Sequence, residues 1–379
     1  MKITMVVSGW PNANEPARSV FNKRHAKQLV LLGHEVNVIF IRALNPFKRL
    51  TKSYSQDSVE ITEVRIMPPF GSFTIKDWVS VFLLKFLKFV NILNTDTNVV
   101  HCIGGHAVAL SYQIANFSKS NFIVHYIGGD INCDFDGLLS SKIFLKAISK
   151  ASFHGFESKG LHEKFYSKFP NLSNTEVIYR GITTDVPKYE KVKISNHFTL
   201  IYLGGKPSDG MTKGIYVLLN AISSLGKKDL NHTFEFLLGG PGILDINKST
   251  VLSSNEKIKV HVIGTLSQNE VVEYMTKADI CIIPSYNEGL PNVMWESMIY
   301  GCLIVATKVG GIPEIIETGK EGRLFNIGEY EELAEILYDI DKKPEQIDYM
   351  VLRAKNGVSK YDYSNFIGNY IKKYQEFSN

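Results

Sequence analysis

The stretch 281–317, CIIPSYNEGLPNVMWESMIYGCLIVATKVGGIPEIIE, leaves a chain few ways to fold. It begins inside the apolar run 280–283, closed by Pro284 and Ser285, which has the length and composition of a strand buried on both faces. A polar turn from Tyr286 to Gly289 leads to Pro291, expected as the first residue of a helix. Its fixed φ suits a helix start, where its missing N–H would have no partner anyway. Met294, Met298 and Ile299 share one helical face, and Gly301 ends the helix. A second buried strand is expected over 303–306. Gly310-Gly311 then permits close backbone approach, and Pro313 opens another helix. Strand, helix, strand, helix is the repeat of a parallel α/β sheet.

The same alternation runs along the rest of the chain. Strands are expected over 3–7, 35–41, 98–103, 122–127 and 153–156, and again over 198–203, 234–238 and 260–264, with helices such as 19–32 between them. The polar, lysine-rich segment 185–197 reads as a linker. Residues 42–76 carry basic side chains and short strands. The segment 77–93, DWVSVFLLKFLKFVNIL, has a narrow polar stripe and two open readings: a helix buried against the sheet, which is favoured, or one lying in a membrane interface. The expected organisation is a first domain over 1–190, a second over 191–360 and a final helix over 361–379. In parallel sheets ligands collect at the carboxyl ends of strands. There the sequence places Gly104-Gly105-His106, Gly128-Gly129-Asp130, Gly204-Gly205-Lys206 and Lys213-Gly214.

Length and composition bound this picture. A chain of 379 residues can build two cores, and 44% hydrophobic with 21% charged residues suits a soluble globular protein. No apolar run reaches the roughly 18 residues of a membrane span. The N-terminal MKITMVV reads as a strand and not a signal peptide, so a cytoplasmic chain is expected. Cys102, Cys133, Cys281 and Cys302 lack paired spacing; buried thiols are expected, with neither disulfides nor a metal site. The net charge of +4 is uneven: residues 1–190 hold 22 Lys/Arg against 15 Asp/Glu. A basic first half suits an anionic membrane surface, and peripheral attachment to the inner face of the cell membrane is a further expectation. Nucleic acid is excluded as a partner, because no helix-turn-helix, RNP or zinc pattern focuses the charge.

Taken alone, Glu288 reads as a helix cap and Glu296 as a solvated side chain. Their flanks change that. Glu288-Gly289-Leu290-Pro291 through Glu296, Gly301 with Val305-Ala306, and Gly310-Gly311-Ile312-Pro313-Glu314 together resemble the signature of the retaining glycosyltransferases of family 4, the glycosyltransferase group 1 type. The resemblance implies a GT-B fold: α/β, with two Rossmann-like parallel-sheet domains facing across a cleft. It implies a retaining, metal-independent hexosyltransferase without cofactor, moving a sugar from a nucleotide diphosphate sugar (UDP- or GDP-sugar) to a glycan or lipid-linked acceptor in cell-surface polysaccharide or glycoconjugate synthesis.

On that resemblance Glu288 and Lys213 are the catalytic residues. Lys206, Gly205, Thr265, Gly289, Leu290, Asn292 and Glu296 would bind the donor, with Glu296 on the ribose. Ser19, His106 and Asp130 are candidates on the acceptor side. Ser19 stands where the family often has glycine, Ile127 where its H-G-x-D segment has histidine, and Arg180 and Thr183 replace Asn and Asp of its V-I-P-N-G-V-D segment. The departures at Ile127, Arg180 and Thr183 support an alternative, a non-catalytic sugar-nucleotide-binding protein; a GT-B epimerase is another.

Overall fold

A computed structural model of the chain describes residues 1–11, 19–43, 48–66, 96–132, 135–139, 141–183, 196–204, 212–245 and 255–378. The chain divides into two compact units, Met1–Tyr179 with Ser364–Asn379, and Arg180–Tyr363.

The first unit contains β1 (Lys2–Val7), β2 (Glu35–Ala43), β3 (Thr51–Gln56), β4 (Val59–Ile66), β5 (Val99–Ile103), β6 (Asn121–Tyr126), β7 (Phe153–Phe156) and β8 (Thr175–Val177). They form one sheet in the order β3-β4-β2-β1-β5-β6-β7-β8. Every pairing is parallel except that of β3 with β4. The exception has a local cause. Only Asp57 and Ser58 separate the two strands, and both have positive φ, the backbone of a tight hairpin turn. A connection that short can join only antiparallel neighbours. The central strands are apolar on both faces because helices cover both, and all five residues of β5 are buried.

The helix Tyr363–Phe377 belongs to this unit by its packing. The Tyr374 hydroxyl lies 2.7 Å from Nδ1 of His101 and 3.1 Å from Nε2 of His25, and the Tyr370 ring stacks on His101 with centroids 4.8 Å apart. It begins at Tyr363, after a 3-10 turn over Val358–Tyr361, two residues later than periodicity placed it.

The second unit contains β9 (His197–Leu203), β10 (Thr233–Gly239), β11 (Ile258–Gly264), β12 (Ile280–Ile283), β13 (Leu303–Thr307) and β14 (Gly322–Phe325). The sheet is wholly parallel, in the order β11-β10-β9-β12-β13-β14. The chain winds outward from β9 to β11, then returns to the other side of β9 as β12. The winding direction therefore reverses between β9 and β12, the place where ligands collect in parallel α/β sheets. His197, expected in the linker, already belongs to β9. Residues 185–195 of the expected linker and the whole segment 77–93 lie outside the described residues. Among the described residues no helix is long and apolar enough to cross a membrane. Cys102, Cys281 and Cys302 are buried as thiols.

Candidate active site

Three loops meet at the carboxyl ends of β9, β12 and β13. The first ends in Lys213-Gly214, ahead of the helix Ile215–Leu225. The second, after β12, carries Glu288 and leads to the helix Asn292–Tyr300. The third, after β13, carries Gly310-Gly311.

Backbone contacts weld them together. The Tyr286 N–H donates to the Thr212 carbonyl at 3.1 Å, and the Gly311 N–H to the Gly289 carbonyl at 2.8 Å. Gly214 has φ +67°, and a Cβ there would lie 1.8 Å from the Pro284 carbonyl oxygen; Gly310 has φ +57°, and a Cβ there would lie 2.0 Å from that of Glu288. Only glycine fits a left-handed backbone with a neighbouring chain this close. Gly214 of the K-G pair and Gly310 of the G-G pair are therefore packing requirements of the site.

Inside this frame the Lys213 ammonium donates to Oε1 of Glu288 at 2.7 Å. The Ser285 hydroxyl donates to the same oxygen at 2.7 Å. Ser285 is itself held by Thr307, whose hydroxyl donates to the Ser285 carbonyl at 2.6 Å. The Tyr202 hydroxyl donates to the Lys213 carbonyl at 3.2 Å, and burial, aided by the charge on Glu288, pushes its phenol well above the usual range. Lys213 is the more open partner, with 38% of its side chain exposed against 9% for Glu288. The result is a nearly buried carboxylate oriented by two donors, beside a cation that reaches solvent. An ammonium has three N–H donors, so Lys213 can hold Glu288 and an incoming anion together.

The helix Asn292–Tyr300 starts one residue later than expected. Pro291 is its N-cap, in extended conformation with ψ 136°, which a proline's φ also permits. Gly289 and Leu290 are buried, Asn292 is exposed in the first turn, and the free N–H groups there give that end its partial positive charge. Glu296 is half-buried one turn further on, and Nε2 of Gln268 lies 3.5 Å from its Oε1. Gln268 opens the helix that follows Thr265, so this contact ties Glu296 to that segment. Thr265 is exposed just past β11, two strands away from β9. Gly205 and Lys206 lie outside the described residues.

The acceptor-side candidates all fall in the first unit. Ser19 takes the left-handed conformation, φ 49° and ψ 39°, at the N-cap of the helix Val20–Leu31. This is backbone that glycine adopts without strain, in keeping with the glycine that the resembled family often has where Ser19 stands. His106 is half-buried in the 3-10 turn Gly105–Ala107. Asp130 is buried, and its carboxylate accepts the backbone N–H groups of Gly105 at 2.6 Å, Gly128 at 2.9 Å and Ile131 at 3.1 Å. Burial still holds its carboxyl above the usual range. His125, next to the glycine turn in sequence, is 1% exposed; its Nε2 lies 3.4 Å from Oε1 of Glu157. Ser285, Thr307 and Tyr202 are site residues that the sequence did not single out. Each is a hydroxyl in or beside an apolar strand, and nothing local marks it.

Residues 197–340 match the family described as glycosyl transferases group 1. An uncharacterized glycosyltransferase of Methanocaldococcus jannaschii is 27% identical over 209 residues, 55% of this chain and 56% of that one. The amylovoran biosynthesis glycosyltransferase AmsK of Erwinia amylovora is 30% identical over 150 residues, 38% of this chain and 36% of that one. The chain thus aligns with about half, or less, of these relatives' length. In structure, Anabaena HepE, solved in complex with UDP, superposes with a TM-score of 0.73 at 18% identity over 99% of both chains. Sucrose-phosphate synthase from Thermosynechococcus elongatus superposes with the same TM-score at 14% identity, covering 99% of this chain and 98% of that one. The chain has the fold of the GT-B glycosyltransferases, and its region 197–340, which holds Lys213, Glu288 and Glu296, is similar to the glycosyl transferases group 1.

Proposed function

We propose that the protein is a retaining glycosyltransferase that takes a sugar from a nucleoside diphosphate, UDP or GDP, and passes it to a glycan or lipid-linked acceptor. The observation that carries this is the Lys213–Glu288 pair at the reversal of the second sheet, beside an open helix N-terminus. Breaking the bond between the anomeric carbon and the diphosphate leaves negative charge on the leaving phosphate. Lys213 and the N–H groups that open the helix Asn292–Tyr300 would receive that charge, and preorganised donors of this kind are effective because they need no rearrangement as the charge develops.

Glu288 would orient the donor sugar by accepting its hydroxyls, and Glu296 would accept those of the ribose; carboxylates make strong hydrogen bonds to hydroxyls. The acceptor hydroxyl attacks from the leaving-group side, its proton passes to the departing phosphate, and Glu288 forms no covalent bond. HepE was solved with UDP, with UDP and glucose, and with UDP-glucose, which supports a nucleotide-sugar donor for this fold. The similarity to AmsK, an amylovoran biosynthesis glycosyltransferase, supports a biosynthetic role. The excess of Lys and Arg in residues 1–190 supports contact with an anionic membrane surface.

A thermal-shift screen of UDP, GDP, ADP and their sugar esters, with and without EDTA, tests this reading. One nucleotide should raise the melting temperature, and EDTA should leave both that rise and the transfer rate unchanged. No shift with any of them would overturn the donor assignment. A shift or a rate abolished by EDTA would overturn metal independence. Flotation with anionic liposomes tests the membrane contact, and the absence of salt-sensitive binding would remove it.

A further inference from the structure

We propose that Arg180 is a positioning residue for the turn that carries Glu288, and that it governs turnover more than nucleotide affinity. The inference rests on the donor assignment above. Arg180 is the first residue of the second unit and is 7% exposed. Its Nη2 donates to the Leu290 carbonyl at 2.9 Å, across 110 residues of sequence.

That contact completes a series. Between Glu288 and the helix cap, three consecutive carbonyls each meet another segment, and the last two are hydrogen-bonded to it. Gly310 backs the carbonyl of Glu288, the Gly311 N–H binds that of Gly289, and Arg180 binds that of Leu290. In a trans peptide the carbonyl and the following N–H point in opposite directions. Holding the Gly289 carbonyl therefore aims the N–H group of Leu290 the other way. The Leu290 carbonyl belongs to the bond with Pro291, which has no N–H, so the Arg180 contact fixes the last peptide plane before the helix Asn292–Tyr300. The plane before it is held by neutral backbone; this one is held by a cation, whose hydrogen bond is the stronger kind.

Arg180 itself stands on a firm base. Two residues on, the Ile182 N–H donates to the Tyr361 carbonyl at 3.0 Å, and the Tyr363 N–H to the Ile182 carbonyl at 3.1 Å. A planar guanidinium on such a base can hold a carbonyl at a defined angle, which a flexible ammonium does less well.

The variants R180Q and R180K test this, with UDP, GDP and their glucose esters as probes. Hydrogen exchange without ligand comes first. In R180Q the amides of Gly311 and Met294, which donate to the Gly289 and Pro291 carbonyls, should exchange at least about tenfold faster, with the rest of the second unit unchanged. Turnover of the sugar nucleotide should fall roughly 10- to 100-fold. The Kd for the nucleotide should stay within about threefold, and R180K should recover part of the loss. Unchanged exchange at those amides overturns the proposal. So does a uniform rise across the unit, or an equal loss of affinity and turnover. If the unsubstituted protein neither binds nor cleaves any of these nucleotides, the donor assignment has failed, and the exchange measurement still decides the role of Arg180 in the turn.

Discussion

The Lys213 ammonium and the Glu288 carboxylate meet at 2.7 Å although 75 residues separate them. Replacing Lys213 by alanine removes the cation and leaves Glu288 with its Ser285 partner. Turnover should fall roughly 10²- to 10³-fold, the range for losing one preorganised donor to a developing negative charge. Nucleotide affinity should weaken by less. Because Lys213 is partly exposed, the melting temperature should drop by no more than about 3 °C. Steady-state kinetics beside a thermal melt checks all three, and unchanged kinetics would discredit the site.

Glu296→Ala should act on binding instead. A carboxylate accepting ribose hydroxyls contributes about 1.5 to 3 kcal/mol, so the nucleotide Kd should rise roughly 10- to 100-fold while turnover at saturating donor changes little. Calorimetric titration with the ribonucleotide and its 2′,3′-dideoxy analogue isolates the contact. The native protein should separate the two ligands and the variant should not; equal discrimination in both would move Glu296 away from the ribose.

Gly214→Ala and Gly319→Ala separate close approach from backbone conformation. Both glycines have positive φ, but a methyl at Gly214 would lie 1.8 Å from the Pro284 oxygen, whereas one at Gly319 would meet nothing within 4 Å. Gly319→Ala should cost only the conformational strain, about 1 to 2 kcal/mol. Gly214→Ala should cost more and lower the melting temperature of the second unit by roughly 5–10 °C. Similar losses in scanning calorimetry would show that the Lys213 loop is free to move aside.

Acid should weaken the first unit through its buried histidines. Burial lowers the pKa of His25 to about 3 and that of His154 to about 4, and it lowers that of His101 as well; nearby histidines add to the effect on His25 and His101. These groups stay neutral in the folded unit but take up protons near pH 6.5 once it unfolds. The unfolded chain therefore binds more protons below that value, and stability falls as pH drops from 6.5 toward 4, by up to about 1.4 kcal/mol per pH unit for each histidine. The Tyr374 hydroxyl, bonded to both His25 and His101, makes His25→Gln the informative variant. Its melting temperature should depend less on pH over that window, as read by calorimetry from pH 7 to 4. An unaltered slope would remove His25 from the effect.

The parts of the fold legible in the sequence are those where burial leaves a continuous signature. The strand 280–283 falls where the apolar run placed it, because a parallel strand covered on both faces has no polar side to interrupt it. The β3–β4 hairpin left a fainter trace. Its outer strand is partly exposed, and its turn is Asp57-Ser58 and not the more telling Asn-Gly. Lys213 and Glu288 stood out through glycines that the backbone requires, Gly214 beside the lysine and Gly310 packed on the carbonyl of the glutamate. Ser285 and Thr307 did not, since a hydroxyl at a strand end looks the same whether it orients a carboxylate or faces water. Arg180 was visible only as a departure, for its partner is a carbonyl that no local pattern identifies.

Ile182 and Asp362 form a parallel bridge, so the second unit begins and ends at one spot. A polypeptide of residues 180–363 would have its two ends side by side, the arrangement that tolerates circular permutation and transfer into a foreign host chain. Such a segment can be inherited as a cassette. Its sheet and loops can pass intact between genes while the flanking sequence diverges.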